Sequence, residues 1–168
     1  GPVGLVLASF LSLRGISSTV FERSEGIPKD LRASTFHPPT LDMLEEIGVT
    51  PTLIEQGLVC PTWQFRDRKE GEVATFDLGL LEGETNHPYR LQCEQWKLAK
   101  ALDLKARDDA AIDLHYGAEV IAMAQADDHV ALTVQNSDGT KTQHRGRYVI
   151  GADGAGSIVR KAAGIILE

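Results

Sequence analysis

Apolar residues along this chain recur with two different periods, and each period predicts one kind of secondary structure. Near the start, Leu5, Ala8 and Leu11 fall on one face of a helix, which we expect to end at Gly15. Residues 18–21 are a short β-branched run that predicts a strand. The first part of the chain is therefore expected to be a helix that leads into a strand.

Two later segments repeat the helical period. Their apolar faces consist of Leu41, Leu44 and Ile47 in the first helix and of Trp96, Ala99 and Leu102 in the second, which spans residues 94–107. Two prolines suit the first turn of the earlier helix, and Gly48 closes it. A shorter helix is predicted at residues 52–56.

Strand-like segments at residues 62–66 and 72–76 flank a charged turn, which predicts a β-hairpin. Trp63, Phe65 and Phe76 are apolar positions of this hairpin. They could line an aromatic pocket, but alternating aromatic residues on a strand are more typical of a core. We therefore assign none of them to a substrate contact.

A second group of alternating segments predicts an antiparallel meander. One strand contains Val120 and Ala122, and the next places Leu132 and Val134 on one face. The turn at residues 136–139 leads into a third strand that ends near Arg147.

The glycine-rich segment that follows the meander is the first candidate for chemistry. Residues 148–150 predict a buried strand, and the Gly-Ala-Asp-Gly-Ala-Gly turn after it predicts a helix that starts near Ser157. Asp153 lies at the bend. Free N–H groups at a helix start suit a phosphate or a ribose edge, although a plain glycine-rich corner has the same pattern.

The first residues supply a second candidate. Gly1-Pro2-Val3-Gly4 opens a helix, and Glu22 follows about twenty positions later, at the end of a strand. This arrangement is the back half of a dinucleotide-binding fingerprint, without the strand that should precede the glycines. Glu22 is either a solvated carboxylate or an acceptor of hydrogen bonds from the two ribose hydroxyls of an adenosine. We favour its role as the ribose acceptor.

Composition narrows the choice of function. The 168 residues are 42% hydrophobic and 24% charged, which is ordinary for a globular domain. The net charge of -7 argues against a nucleic-acid surface, and no apolar run approaches the length of a membrane span. Cys60 and Cys93 lie far apart, so neither zinc nor a disulfide is predicted. No nucleophilic or metal-binding constellation stands out, and no catalytic residue can be assigned.

Four segments together resemble one family. Gly1-Pro-Val-Gly4, Glu22-Arg23, Leu31-Arg-Ala-Ser34 and Gly151-Ala-Asp-Gly154 are similar to the FAD-dependent aromatic hydroxylases, the single-component flavoprotein monooxygenases with a para-hydroxybenzoate hydroxylase-type fold. The resemblance covers the whole chain. The family's later Gly-Asp dipeptide does not occur here. We therefore expect a fragment of a longer enzyme that lacks the first strand and the C-terminal part.

The resemblance implies a set of FAD-binding residues, namely Gly1, Pro2, Val3, Gly4, Glu22, Arg23, Arg32, Gln92, Asp153 and Gly154. Arg32 would contact the cofactor from a loop that passes over the flavin, or else pair with Glu25 or Asp30 on the surface. Gln92 would contact the flavin near its phosphate or ribityl part, or else be an ordinary residue between a strand and a helix. Asp153 would tie the glycine loop to the pyrophosphate region.

The implied fold is α/β, with a FAD-binding, Rossmann-like parallel sheet of the glutathione reductase type, an antiparallel β-meander and part of a substrate-domain sheet. Residues 1–60 would form a FAD-binding part that is incomplete at its N-terminus. Residues 61–88 would form a partial substrate-domain hairpin. Residues 89–168 would complete the FAD-binding part with the meander and the Asp-Gly motif.

The implied activity is NAD(P)H-dependent hydroxylation of an aromatic, phenolic substrate by dioxygen, through a flavin C4a-hydroperoxide. The enzyme is expected to be cytoplasmic, without nucleic-acid partners. The alternatives are a flavin-dependent halogenase or an isoprenoid reductase on the same scaffold, or a nucleotide-binding module without redox chemistry. We expect this chain alone to be inactive, marginally stable and weak in FAD binding, because an uncovered sheet edge and uncovered apolar faces invite association.

Overall fold

The computed structural model describes residues 1–29, 31 and 33–166. The helices are α1 (Pro2–Leu13), α2 (Pro38–Glu46), α3 (Thr50–Gln56), α4 (Gln95–Arg107) and α5 (Ile158–Ala162), with a short 3-10 helix at Leu78–Leu81. The strands are β1 (Ser18–Glu22), β2 (Thr35–Phe36), β3 (Leu58–Cys60), β4 (Thr62–Asp67), β5 (Gly71–Asp77), β6 (Arg90–Gln92), β7 (Ile112–Tyr116), β8 (Ala118–Gln125), β9 (Val130–Asn136) and β10 (Lys141–Gly146).

The chain divides into two compact units. The first unit comprises Gly1, Val3–Pro28 and Lys105–Glu168, and the second comprises Pro2 and Lys29–Leu104. The domain boundaries predicted near residues 60 and 88 stay a prediction. Within the part of the chain that the structure describes, no helix is both long enough and apolar enough to cross a membrane.

The first unit combines parallel and antiparallel pairing. Strand β1 pairs in parallel with β7, in a register that places Ser18 opposite Ile112. Strands β8, β9 and β10 form the predicted antiparallel meander, with β9 in the centre. Its core consists of Ala118, Leu132 and Val134, against which Phe21 of β1 packs.

Helix α1 forms where the apolar spacing predicts it. Leu5 and Ala8 are buried, and the helix ends at Leu13, followed by its C-cap Arg14 and by Gly15 with a φ of 70°. Ser12 near its C-terminus donates a hydrogen bond to Asp109, which precedes β7. This link attaches the helix to the parallel strand pair.

The second unit is built on a small antiparallel sheet with the order β2-β6-β3. Helix α2 contributes the buried residues Leu41 and Leu44, and Ile47 follows directly after it, as predicted. Helix α3 ends at Gly57, where a Cβ atom would lie 2.8 Å from the backbone oxygen of Gln92 in β6. The absence of a side chain at Gly57 therefore allows a close approach to the central strand.

Strands β4 and β5 form the predicted hairpin as a separate two-stranded sheet. The expectation that its aromatic residues belong to a core is wrong in this structure. Trp63, Phe65 and Phe76 are 41%, 53% and 47% exposed. The three rings lie against one another.

The buried strand predicted at residues 148–150 is also absent. Tyr148 is 81% exposed and Ile150 is 59% exposed, while Val149 packs on the meander core. The backbone of this segment pairs with no strand among the described residues. An apolar run cannot form a strand without a hydrogen-bonded neighbour, so the segment is not part of a sheet.

Candidate functional site

Glu22 lies beside the start of α1. The nitrogen of Gly1 donates a hydrogen bond of 2.7 Å to Oε2 of Glu22, and the Ser24 backbone N–H donates one of 3.0 Å to Oε1. Only 21% of the Glu22 side chain is exposed. The carboxylate at the end of β1 and the glycine that opens α1 are therefore direct neighbours.

The environment of Glu22 keeps its carboxyl group ionised. Partial burial acts to raise the pKa of this group, but the hydrogen bonds from the terminal amino group of Gly1 and from Ser24, together with the positive charge of that amino group, outweigh burial and lower the pKa below its usual value. An ionised carboxylate is an acceptor only, with room for further donors on its two oxygens. Glu22 is thus suited to accept hydrogen bonds from vicinal hydroxyl groups.

The first turn of α1 is open to a ligand. Among the residues that the structure describes, no side chain caps the helix, and Val3 is 69% exposed. Uncapped N–H groups at a helix start suit an anionic oxygen. The same turn approaches the glycine-rich turn at residues 151–156, called the late corner below. A Cβ atom on Gly4 would lie 3.5 Å from the Cβ of Ala152 in that corner.

Asp153 organises that late corner. Its carboxylate accepts hydrogen bonds from the Ser157 hydroxyl, from the Ile158 N–H at 2.7 Å and from the Val159 N–H at 3.3 Å. Burial acts to raise the pKa of Asp153, but these hydrogen bonds outweigh burial and lower the pKa. The carboxylate therefore caps the start of α5, which begins near Ser157 as predicted, and Ser157 itself is the N-cap.

Two glycines give the corner its shape. Gly154 has a φ of 74°, a left-handed conformation that favours glycine. A Cβ atom on Gly151 would lie 2.9 Å from the Cβ of Val159. A side chain at Gly151 would push α5 away from the turn, and one at Gly154 would strain the backbone.

Gln92 lies in the second unit, on the central strand β6. Oε1 of its amide accepts a hydrogen bond of 3.3 Å from the Thr35 hydroxyl, which lies directly opposite on β2. An open groove of about 410 Å³ lies beside Gln92, with Ser34, Glu94 and Lys97 among its lining residues. The groove gives a ligand room to reach the amide.

The structure thus places seven of the ten predicted residues at the start of α1 or at the corner beside it. These seven are Gly1, Pro2, Val3, Gly4, Glu22, Asp153 and Gly154, and all but Pro2 belong to the first unit. Arg23 follows Glu22 and is exposed, Gln92 is part of the second unit, and Arg32 lies outside the described residues.

Sequence reasoning missed a cluster around a buried histidine. His87 Nδ1 lies 2.7 Å from Asp42 Oδ1, and Thr85 donates a 2.6 Å hydrogen bond to the other Asp42 oxygen. Asp42, Glu45 and His87 each place a potential metal ligand within 4.8 Å of the others. The spacing of Asp42 and Glu45 on α2 gives a signal in the sequence, but the distant His87 does not. These contacts attach the segment before β6 to α2.

Comparisons with known proteins identify relatives that are similar to this chain in amino-acid sequence. A family model described as "FAD binding domain" matches residues 1–168. An uncharacterized aromatic compound monooxygenase of Bacillus subtilis is 34% identical over 165 residues, covering 98% of this chain and 32% of that protein. Para-nitrophenol 4-monooxygenase of a Pseudomonas species is 27% identical, covering 100% of this chain and 41% of that protein.

Solved structures share the fold. The crystal structure of p-nitrophenol 4-monooxygenase from Pseudomonas putida matches with a TM-score of 0.94 and 27% identity, covering 100% of this chain and 42% of that one. Aklavinone-11 hydroxylase, solved with FAD and aklavinone, matches with a TM-score of 0.82 and 25% identity, covering 98% of this chain and 33% of that one. These likenesses confirm the predicted α/β fold. The chain spans about a third to two fifths of the length of these relatives.

Proposed function

The chain belongs to the FAD binding domain family, and we propose from that premise that it is the FAD-binding part of an aromatic-ring monooxygenase. The proposal rests on one observation: the Glu22 carboxylate, the first turn of α1 and the glycine corner at Asp153 lie close together. The ionised Glu22 contacts Gly1, and the glycine corner at Asp153 reaches Gly4. An acid and an open helix start are the two groups that a dinucleotide with ribose and diphosphate requires.

Each group in the first unit has a proposed role toward the cofactor. Glu22 accepts hydrogen bonds from the ribose hydroxyls of the adenosine. The first turn of α1, from Gly1 to Gly4, donates N–H groups to the diphosphate. Asp153 and Gly154 hold the late corner against that turn, with Asp153 acting through the helix it caps.

Three further residues complete the proposed set. Gln92 has an amide whose Nε2 donors are available to a flavin oxygen, since its Oε1 accepts from Thr35. Arg23 contacts the cofactor beside Glu22, and Arg32 contacts it from the loop that passes over the flavin. Their roles rest on the family resemblance.

When bound, FAD supplies the redox chemistry, taking a hydride from NAD(P)H and activating dioxygen for transfer to the aromatic ring. The task of this chain is then to bind and orient the cofactor and to keep water away from it. The relatives whose names state a phenol, among them a pentachlorophenol 4-monooxygenase of Sphingobium chlorophenolicum, support an aromatic substrate. We propose that the enzyme is cytoplasmic.

The test uses the full-length gene product. We expect it to carry flavin with an oxidised absorbance spectrum, to consume NAD(P)H faster when a phenol is added, and to release a hydroxylated product detected by mass spectrometry. The Glu22→Gln variant should lose flavin, whereas Glu119→Gln, an exposed glutamate on β8, should retain it. Flavin that NAD(P)H does not reduce would instead favour a nucleotide-binding module without redox chemistry.

A further inference from the structure

A buried histidine in the second unit lies between two acids of α2. Asp42 and Glu45 are three positions apart on this helix, so their side chains lie on the same side of it. His87, in the segment before β6, is only 5% exposed. Its Nδ1 atom lies 2.7 Å from Asp42 Oδ1, and its Nε2 atom lies 4.0 Å from Glu45 Oε1. Each nitrogen of the imidazole ring therefore has a carboxylate as its neighbour.

The hydrogen bond to Asp42 determines which ring nitrogen of His87 is free. An ionised carboxylate can only accept, so Nδ1 carries a hydrogen and donates it to Asp42 Oδ1. The Nε2 atom of a neutral ring then carries a lone pair. Among the residues that the structure describes, none forms a hydrogen bond with this Nε2 atom. A lone pair and a carboxylate oxygen 4.0 Å apart repel each other, and a cation between them converts that repulsion into attraction.

The charge around His87 is not balanced by the chain itself. Two ionised carboxylates beside a neutral imidazole leave two negative charges, and within the described ranges neither acid forms an ion pair with a lysine or an arginine. The remaining oxygen of each acid accepts from a neutral donor. The Thr85 hydroxyl lies 2.6 Å from Asp42 Oδ2, and the Asn86 amide lies 3.1 Å from Glu45 Oε2. These donors hold the carboxylates in position without neutralising them.

We propose that His87 Nε2 and Glu45 Oε1 bind a divalent transition-metal ion such as Zn²⁺, with Asp42 orienting the His87 ring. Zinc bonds to nitrogen and oxygen are about 2.0–2.2 Å long, so two ligands of one ion lie at most about 4.3 Å apart. The observed 4.0 Å satisfies that limit. A histidine that binds a metal usually donates its other ring N–H to a carboxylate, as His87 does to Asp42.

The surroundings of the cluster suit a zinc-type ion that enters from solvent. The side chains of Asp42 and Glu45 are 34% and 47% exposed, so the ion can reach Nε2 and water can complete its coordination. An imidazole ligand favours zinc, cobalt or nickel, whereas magnesium and calcium prefer oxygen ligands alone. This site goes beyond the proposed function, because none of its residues is among the proposed FAD contacts. The ion joins α2 to the segment that leads into β6 and thereby stabilises the fold.

The test uses the full-length gene product after treatment with a chelator. Binding of Zn²⁺ is measured by isothermal titration calorimetry, and melting temperatures are recorded with Zn²⁺ and with Mg²⁺. We expect Zn²⁺, but not Mg²⁺ at the same concentration, to raise the melting temperature. The amide of His87→Asn can still donate to Asp42 but has no counterpart of Nε2. Loss of an outer partner of a metal ligand already weakens binding about 10–100-fold, so this variant should bind Zn²⁺ at least about a hundredfold more weakly.

A second variant and two controls make the result specific to this cluster. Glu45→Gln, at a half-exposed position that tolerates an amide, should weaken Zn²⁺ binding about tenfold or more. Glu46→Gln changes the exposed neighbouring glutamate, and His129→Asn changes a histidine whose ring pairs with Asp128. Both controls should bind Zn²⁺ as the parent protein does.

Three results would overturn the metal site. The first is a folded His87→Asn or Glu45→Gln variant that binds Zn²⁺ as tightly as the parent protein. The second is equal stabilisation of the parent protein by Zn²⁺ and Mg²⁺. The third is stabilisation of the parent protein by acid but not by Zn²⁺, which would show that a proton alone connects His87 to the two acids. Flavin content measured on the same samples separates failure of the metal site from failure of the FAD assignment.

Discussion

Gly4 in the first turn of α1 faces Ala152 in the turn before α5, and a Cβ atom on Gly4 would lie 3.5 Å from the Cβ of Ala152. The two residues lie near opposite ends of the sequence. Their proximity places the N–H groups of the helix start next to the corner that Asp153 organises. It also defines where a side chain at position 4 would go.

Gly4→Ala should separate stability from cofactor binding. A separation of 3.5 Å is an ordinary van der Waals contact, so the protein has room for the methyl group. Alanine in place of a helical glycine stabilises by about 0.5–1 kcal/mol. The methyl group would, however, contact Ala152 beside the helix start to which we assign the diphosphate. We expect an unchanged or raised melting temperature together with FAD affinity reduced about tenfold. Unchanged FAD affinity would remove Gly4 from the proposed site.

Glu22→Gln tests the ribose contact. The amide keeps the size of the side chain but loses the charge, and a hydrogen bond to a charged group contributes about 1.5–3 kcal/mol. We expect FAD affinity to fall between about tenfold and a hundredfold, measured by quenching of flavin fluorescence. Glu22→Asp should also weaken binding, because a shorter side chain withdraws the carboxylate from Gly1. If Glu22→Gln bound FAD as tightly as the parent protein, Glu22 would be only a surface acid.

Asp153→Asn tests how the late corner is held. The pKa of Asp153 is lowered in the folded chain because hydrogen bonds from Ser157, Ile158 and Val159 outweigh the opposing effect of burial. Its ionised form therefore stabilises the fold at pH values above the unfolded pKa, and this contribution is lost as the pH falls through the folded pKa. Removing a helix cap costs about 1 kcal/mol.

We therefore expect Asp153→Asn to have a lower melting temperature than the parent protein at neutral pH. The difference between the two melting temperatures should shrink as the solution is acidified. Asp127→Asn is the matched control, since Asp127 is an exposed acid in the turn between β8 and β9. A difference between parent and Asp153→Asn that stayed constant with pH would show that the charge of Asp153 is not what holds α5.

Local patterns were sufficient to predict much of the fold. Leu41, Leu44 and Ile47 are each 3% exposed or less, as a helical apolar stripe requires. Val134 in the meander is fully buried, as strand alternation predicts. Ser157 caps α5 because a serine before an apolar run is a local signal. In these cases the residues that determine the structure are neighbours in sequence.

Features that depend on distant partners could not be predicted in the same way. Tyr148 and Ile150 have strand-like composition, but a strand needs a neighbour, and burial needs something to cover it. The exposure of Trp63 has the second of these causes, because alternation predicts the face on which its ring lies but not whether another element covers that face. The pairing of His87 with Asp42 joins a loop to a helix far away in sequence, which no spacing rule anticipates. The approach of Gly4 to Ala152 joins two segments near opposite ends of the sequence, which only the family resemblance assigns to one cofactor.

Gly57→Ala tests whether the close approach of α3 to β6 matters for the fold and for the cofactor. A Cβ atom at Gly57 would lie 2.8 Å from the backbone oxygen of Gln92 and 2.8 Å from Cδ1 of Leu91, which is fully buried. Neither group can move without shifting the central strand of the sheet. Such overpacking costs about 1–3 kcal/mol, and the shift would carry the Gln92 amide with it. We expect a lower melting temperature and weaker FAD binding. Gly26→Ala is the matched control, because a Cβ atom there would meet nothing within 4 Å. If Gly57→Ala destabilised the protein but left FAD affinity unchanged, the close approach would serve packing alone and Gln92 would lose its place among the proposed FAD contacts.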